Sequence, residues 1–389
     1  MRRISFLLIV LLAFFYACSD REDEKTSDIL QDASMDVLVG SDTEVNDVPV
    51  GSDAEVNKED YAFIINAAPD YSSGSFSIMK LSDKGVTKDK GVIHSDAVAR
   101  YFGDYIYVIN RMGADNITIY DPNNDFSIVK QFSVGAGTNP QDVALYNGKI
   151  YITKQLSNEI DIFSSSDYSK IGSIDISKYA DKDGYAEPQD ILLYKDRLYV
   201  TILRLDKDNY YSPTDKSYLI VIDPSTDKIE KEILLGSTNP FAGMVIDEEN
   251  ERIIIAETGS FGATDGRVEF YSINDGIITQ SFVSESEWGG DLNKIAYSRN
   301  KIFAVISDSN FNTLLKVYDT LSSKMSDVYQ SQGFNLAGIA IYNGSDLFLC
   351  DRTKEKPGLR IFDIESLKQK TENPIDTGLP PVSLIFFKR

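Results

Sequence analysis

Two stretches of this chain, "NPQDVALYNGKIYIT" (139–153) and "EPQDILLYKDRLYVT" (187–201), say nearly the same thing 48 residues apart. The echo continues in both directions. Pentapeptides patterned like "KIYIT" begin at Tyr61, Tyr105, Lys149, Arg197, Arg252, Lys301 and Asp346, with successive separations of 44, 44, 48, 55, 49 and 45 residues. Each is rich in β-branched and aromatic residues and is bounded by turn-forming residues, and almost no segment carries apolar residues at helical spacing. A repeat of that length built from short strands constrains the fold more than any other feature of the sequence.

Seven copies at this period predict an all-β chain, a seven-bladed β-propeller of four-stranded blades. Before each landmark strand after the first stands a short apolar run ("QDVALYN", "QDILLYK", "NKIAYS", "AGIAIYN"), and after the landmark a third strand ("NITIYDP", "YLIVIDP", "LRIFDI") and a polar outer one ("KIEKEILLG"). The ends are complementary. The domain opens on a landmark strand at Tyr61 with no inner strand before it, and it finishes on a spare inner strand, "VSLIFFK". The ring is therefore expected to close by pairing the carboxy-terminal strand into the first blade, which removes an open inner edge. One four-stranded sheet cannot bury both faces; seven around a ring can.

The boundaries read as 1–17 export signal, 18–60 tether and 61–389 propeller. Two arginines precede a 12-residue apolar run, 6–17, too short to span a bilayer as a helix. Small Ala17 stands directly before Cys18, and this arrangement resembles the lipobox of bacterial lipoproteins, which implies a diacylglycerol on Cys18. Phe15 and Tyr16 depart from the usual residues there; an ordinary secretory signal is the alternative. Ser19 resembles the outer-membrane sorting preference, so the expected address is the envelope of a Gram-negative-type bacterium. Residues 19–60 hold 14 acidic and 3 basic residues and no aromatic one, a composition that cannot repay ordering entropy. As a flexible coil they would span about 35 Å.

The stretches "GTNPQDVALYNGKIYITKQLSNEIDIF", "EPQDILLYKDRLYVT" and "YLIVIDPSTDKIEKEILLG" resemble the exported YncE-like, YVTN-repeat seven-bladed propellers. The strong match is confined to blades two to four. The resemblance implies a fold and an exported location; members of that group differ in function, so it carries over no catalytic residue.

The formal net charge of -21, with no long basic cluster, argues against nucleic acid as a partner. A monomer held to a membrane only by its lipid is expected. Function must be read from the loops. Connections between inner and landmark strands are tight ("NGK", "KDR", "RNK"), so one face of the disc is expected to be smooth. The opposite face receives long insertions, and these gather Tyr179, Tyr185, Tyr210, Tyr211, Phe261 and Trp288 among Asp183, Asp208 and Asp265. Aromatic plates beside carboxylates suit a protein, peptide or glycan ligand. The alternative is that surface loops tolerate insertion cheaply.

A second candidate set rings the expected channel mouth: Asp96, Gln141, Asp142, Gln189, Asp190 and Asn293. Oxygen donors there would suit Ca²⁺ and, in an enzyme, metal-dependent hydrolysis or elimination. The favoured role for Asp after Pro is bonding to backbone N–H at strand entry. "DKDGY" at 181–185 begins like a calcium loop but lacks the later ligands. One histidine, His94, excludes a multi-histidine metal site, and Cys350 in "DLFLCDR" reads as a buried strand residue. The expectation is thus a non-enzymatic binding or scaffold propeller, with no catalytic residue assigned.

Overall fold

A computed structural model describes residues 58–389; the export signal, Cys18 and nearly all of the tether lie outside the described residues. Seven sheets are arranged as a ring, and the second strand of each falls on a predicted landmark: Asp60–Ala67, Tyr105–Asn110, Lys149–Lys154, Arg197–Ile202, Arg252–Glu257, Lys301–Ser307 and Asp346–Asp351. The chain is a seven-bladed β-propeller. These second strands are buried on both faces because each blade packs between two neighbours, and that is why they read as runs of Ile, Val and Tyr rather than as an alternation. The outer strands, such as Lys228–Leu234, keep few side chains from water and are correspondingly polar.

Six blades have four strands. In the seventh, the chain runs along the third strand, Gly358–Asp363, and pairs with it at Phe362–Gln369 and Leu359–Ile375 in place of an outer strand. Closure follows the expected route: the last strand, Pro381–Lys388, pairs antiparallel with Asp60–Ala67 as the innermost strand of blade one. Two further backbone bonds, Glu59 N to Arg389 O (2.8 Å) and Arg389 N to Glu59 O (3.1 Å), extend the seam.

The smooth face has a precise backbone origin. The links between inner and second strands turn at 103–104, 147–148, 195–196 and 299–300, and both central residues of each have positive φ. Such turns match the right-handed twist of the flanking strands and leave nothing projecting. Cys350 is buried and has no disulfide partner among the described residues, and burial pushes its thiol up to about 12, which keeps it unreactive.

Candidate functional site

On the opposite face the entry to an inner strand has a recurrent geometry. Asn139, Glu187 and Asn239 stand at equivalent places in blades three to five, each with φ between 51° and 55°. Each carbonyl accepts an N–H from the end of its own second strand: Gln155 to Asn139 (2.9 Å), Leu203 to Glu187 (3.1 Å) and Thr258 to Asn239 (2.8 Å). Asn tolerates this left-handed conformation, whereas Glu gains nothing from it locally. The reason for Glu187 lies in what its carboxylate holds.

The insertion of blade four folds into a small hairpin, Leu205–Asp206 against Ser212–Pro213, tethered from below by carboxylates. Glu187 accepts from Leu205 N, Asp183 accepts from Lys207 N (2.9 Å), and Asp181 accepts from the Thr214 hydroxyl (2.7 Å). Asp183 also accepts from Tyr185 N, so the "DKDGY" carboxylates organise two loops. Lys207 lies over the Tyr185 ring at 4.9 Å. At the tip Tyr210 is 65% exposed, Tyr211 half-buried, and Asp208 exposed.

Blade five repeats this device. Glu285 accepts from Gly266 N (2.9 Å) and Leu292 N (2.8 Å), Asp291 accepts twice from Gly262 N, and Asp265 accepts from Ser260 N (2.7 Å). Glu257 and Glu269 are buried beneath the same loop. Glu187, Glu257, Glu269 and Glu285 were not among the residues singled out from sequence. The signal available for Glu187 was its alignment with Asn139 in the repeat.

Three of the expected contact residues are in the wrong place to touch a ligand; one is Asp183, whose side chain is fully buried beneath the hairpin it tethers. Trp288 is fully buried: it ends a single helical turn, Glu285–Trp288, that folds under the loop and packs into the apolar interface between blades five and six. Tyr179 is also buried, its hydroxyl donating to Glu232 (2.8 Å) and its ring against Tyr218. Phe261 is half-buried against Phe241. The exposed large aromatics of this face are Tyr210, Phe241 and Phe334.

The channel-mouth residues do not form a free ring of oxygens. Asp96 is paired with Arg111, whose guanidinium also donates to Gln141 (3.0 Å), and Asp142 is paired with Arg100 (2.8 Å). Asp142 further accepts from Val143 N (2.8 Å) and from Ile191 N of the next blade (3.2 Å); Asp190 accepts from Met244 N of the blade after that (3.2 Å). These two aspartates staple successive inner strands together. Gln189 is buried, its carbonyl accepting from Thr153, and Asn293 donates to Ser307 (2.5 Å). Among the described residues no group of three or more His, Cys, Asp or Glu side chains is arranged to hold a metal ion.

Burial also sets the titration of this face. It pushes Glu187 up to about 9, Glu285 to about 8 and Asp291 to about 6. Carboxyls whose folded-state values lie above their unfolded ones stabilise the fold fully below pH about 4, and that contribution is lost as pH rises through the folded values. The propeller is therefore expected to lose stability steadily between pH 5 and pH 9, seen as a falling thermal midpoint. Glu187→Gln keeps an acceptor for Leu205 N and places an amide where Oε1 has no partner, so it should flatten the profile. An unchanged profile would show that Glu187 does not carry it.

No protein-family model matches the chain, and no curated protein matches it. Solved structures do. A Lactobacillus plantarum protein is 14% identical over 85% of this chain and 99% of its own, with a TM-score of 0.59. A Bacteroides fragilis protein described as a candidate 6-phosphogluconolactonase is 13% identical over 86% and 99%, with a TM-score of 0.58. Hydrazine synthase of Kuenenia stuttgartiensis is 14% identical over 72% and 86%, with a TM-score of 0.55. At these identities the likeness is one of fold, and the same ring serves differently named proteins.

Proposed function

We propose that this protein is a lipid-anchored, non-enzymatic binding propeller of the bacterial cell envelope, of the YncE-like kind, which engages a protein, peptide or glycan on its long-loop face. The observation that carries the reading is the asymmetry of the disc: minimal positive-φ turns on one side, and on the other tethered insertions with solvent-facing aromatics. Buried carboxylates pin those loops, so the surface is pre-formed and costs little ordering on binding. The engagement of Asp96 and Asp142 by arginines also favours binding over hydrolysis at the channel mouth.

Two measurements test this. Cys18→Ser should abolish lipid labelling and release the protein from the membrane fraction; unchanged membrane association would remove the anchor from the reading. Partners cross-linked in intact envelopes should be lost when Tyr210 or Phe241 is changed to Ala and kept when Lys195→Ala alters the smooth face. The reverse result would put the working surface on the other side.

A further inference from the structure

From the link between blades four and five to the link between blades six and seven, five successive loops reach the long-loop face: 235–242, 257–266, 284–291, 308–312 and 332–335. None contains a lysine or arginine; of their six acidic residues Asp265 and Glu287 are exposed and Asp308 is half-buried, while Glu257, Glu285 and Asp291 lie beneath the surface. The rest of the face is mixed, with Arg111, Lys182, Lys207, Arg352, Lys354 and Lys356 on its loops. This arc also carries two aromatic pairs. Phe241 and Phe261 meet edge to face at 6.1 Å, and Phe311 and Phe334 lie 5.9 Å apart. Phe241 is 42% exposed because Pro240 and Ala242 on either side are buried, and Phe334 is 41% exposed beside the tight turn that joins Asn335 N to Gly333 O.

The pairs and carboxylates are contiguous. Gly262, next to Phe261, donates to Asp291 (2.8 and 3.0 Å); Gly290, next to Asp291, lies against the backbone of Asp308; Asp308 O accepts from Phe311 N (2.9 Å). Exposed apolar residues elsewhere, such as Ile128, Ile171 and Ile277, sit singly on the outer strands of different blades, as any surface allows.

We propose that this arc over blades five to seven docks a basic, apolar segment of a partner protein, its aliphatic or aromatic side chains between the two phenylalanine pairs and its lysines or arginines on the intervening carboxylates. The inference rests on the binding reading above and names the partner class for one sector of that face. Charge selects the occupant. The chain's own acidic stretch, 19–60, and a second copy with a net charge of -21 are both repelled by loops that carry exposed carboxylates and no lysine or arginine of their own; Lys316, which reaches in from blade six, is engaged by the Trp288 carbonyl and Asp327. A neutral glycan could stack on phenylalanine but would leave the carboxylates unmatched.

The test uses the mature chain carrying Cys18→Ser against a displayed library of random linear peptides, with a glycan array in parallel. Selected peptides should be rich in Lys or Arg together with Leu, Phe, Tyr or Trp. A synthetic copy should bind more weakly as salt is raised. Phe241→Ala and Phe334→Ala should each weaken it about tenfold without lowering the melting temperature. Asp265→Asn, which keeps the Oδ1 acceptor for Ser260 N, should reduce both affinity and salt dependence, and Lys195→Ala on the smooth face should change neither. Selection of acidic or uncharged peptides, or of peptides indifferent to both phenylalanine variants, would overturn the proposal while leaving a binding face in place. A glycan lost on Phe241→Ala would do the same, and failure to select any peptide or glycan would count against both readings.

Discussion

A chain ending at Pro381 is expected not to accumulate as a folded monomer. Residues 382–389 supply nearly the whole inner strand of blade one, in register from Asp60 opposite Lys388 to Ile65 opposite Ser383. Phe387 is 3% exposed and packs against Tyr61, Tyr101 and Phe126, while Leu384 sits in the core shared with blade seven. Arg389 lies over the rings of Tyr61 and Phe126. Truncating a buried phenylalanine costs about 3–5 kcal/mol and a buried leucine about 2–5 kcal/mol. With the ladder lost as well, the sum approaches the 5–15 kcal/mol (roughly) by which whole domains are stable. The remaining closure contacts, such as Arg352 donating to the carbonyls of Ala67, Ala68 and Pro380, hold one corner only. Size-exclusion chromatography and thermal unfolding check this: the truncated chain should aggregate through the bared edge of Asp60–Ala67, and a peptide of 381–389 added in trans should restore part of the folded fraction. A truncated monomer with an unchanged midpoint would mean that the seam is dispensable.

The strands were legible because their signal is local. A second strand flanked by blades on both faces must be largely apolar along its middle, and the same demand made seven times leaves a repeat; this is why Lys149–Lys154 and Arg197–Ile202 begin where the pattern places them. Closure was legible for the same reason, since a spare inner strand at one end and a missing one at the other admit a single pairing. The loops obey no such demand. Whether an aromatic in an insertion faces water depends on how the insertion folds back, and nothing in "SESEWGGD" or "SKYADKDGY" states that directly. Tyr210 kept its expected exposure because the hairpin carries it outward, whereas Tyr179 was drawn down onto Tyr218. Phe241 and Phe334 escaped notice because they stand beside inner strands, where apolar residues are ordinarily buried. The carboxylates were legible as acidic but not as buried: their role in bonding loop N–H groups appears only once the loops are brought over them.

Trp288 is where this distinction has its largest consequence for a single side chain. One sequence cue was present: Ser284 and Glu287 have capping-box spacing, and Glu287 accepts from the Ser284 N–H (2.9 Å) and hydroxyl (2.8 Å), which commits the segment to a helical turn. In such a turn residues three apart lie on one side, so Glu285 and Trp288 go inward together. The indole then fills the space between blades five and six among Ala242, Val283, Leu292 and Ile306, with Tyr318 at 6.3 Å, and the backbone carbonyl of Trp288 accepts from Lys316 (2.7 Å). Trp288→Ala should therefore cost about 3–5 kcal/mol, a loss of core rather than of contact surface. Phe at this site should recover much of it, because the indole Nε1 has no hydrogen-bond partner among the described residues that a phenyl ring would forfeit. Thermal or denaturant unfolding distinguishes the cases: Trp288→Ala should lower the midpoint strongly, whereas Tyr210→Ala, at an exposed hairpin tip, should leave it within about 0.5 kcal/mol of the parent. Equal, small effects from both substitutions would place the indole at the surface after all, and with it the ligand face envisaged from the sequence.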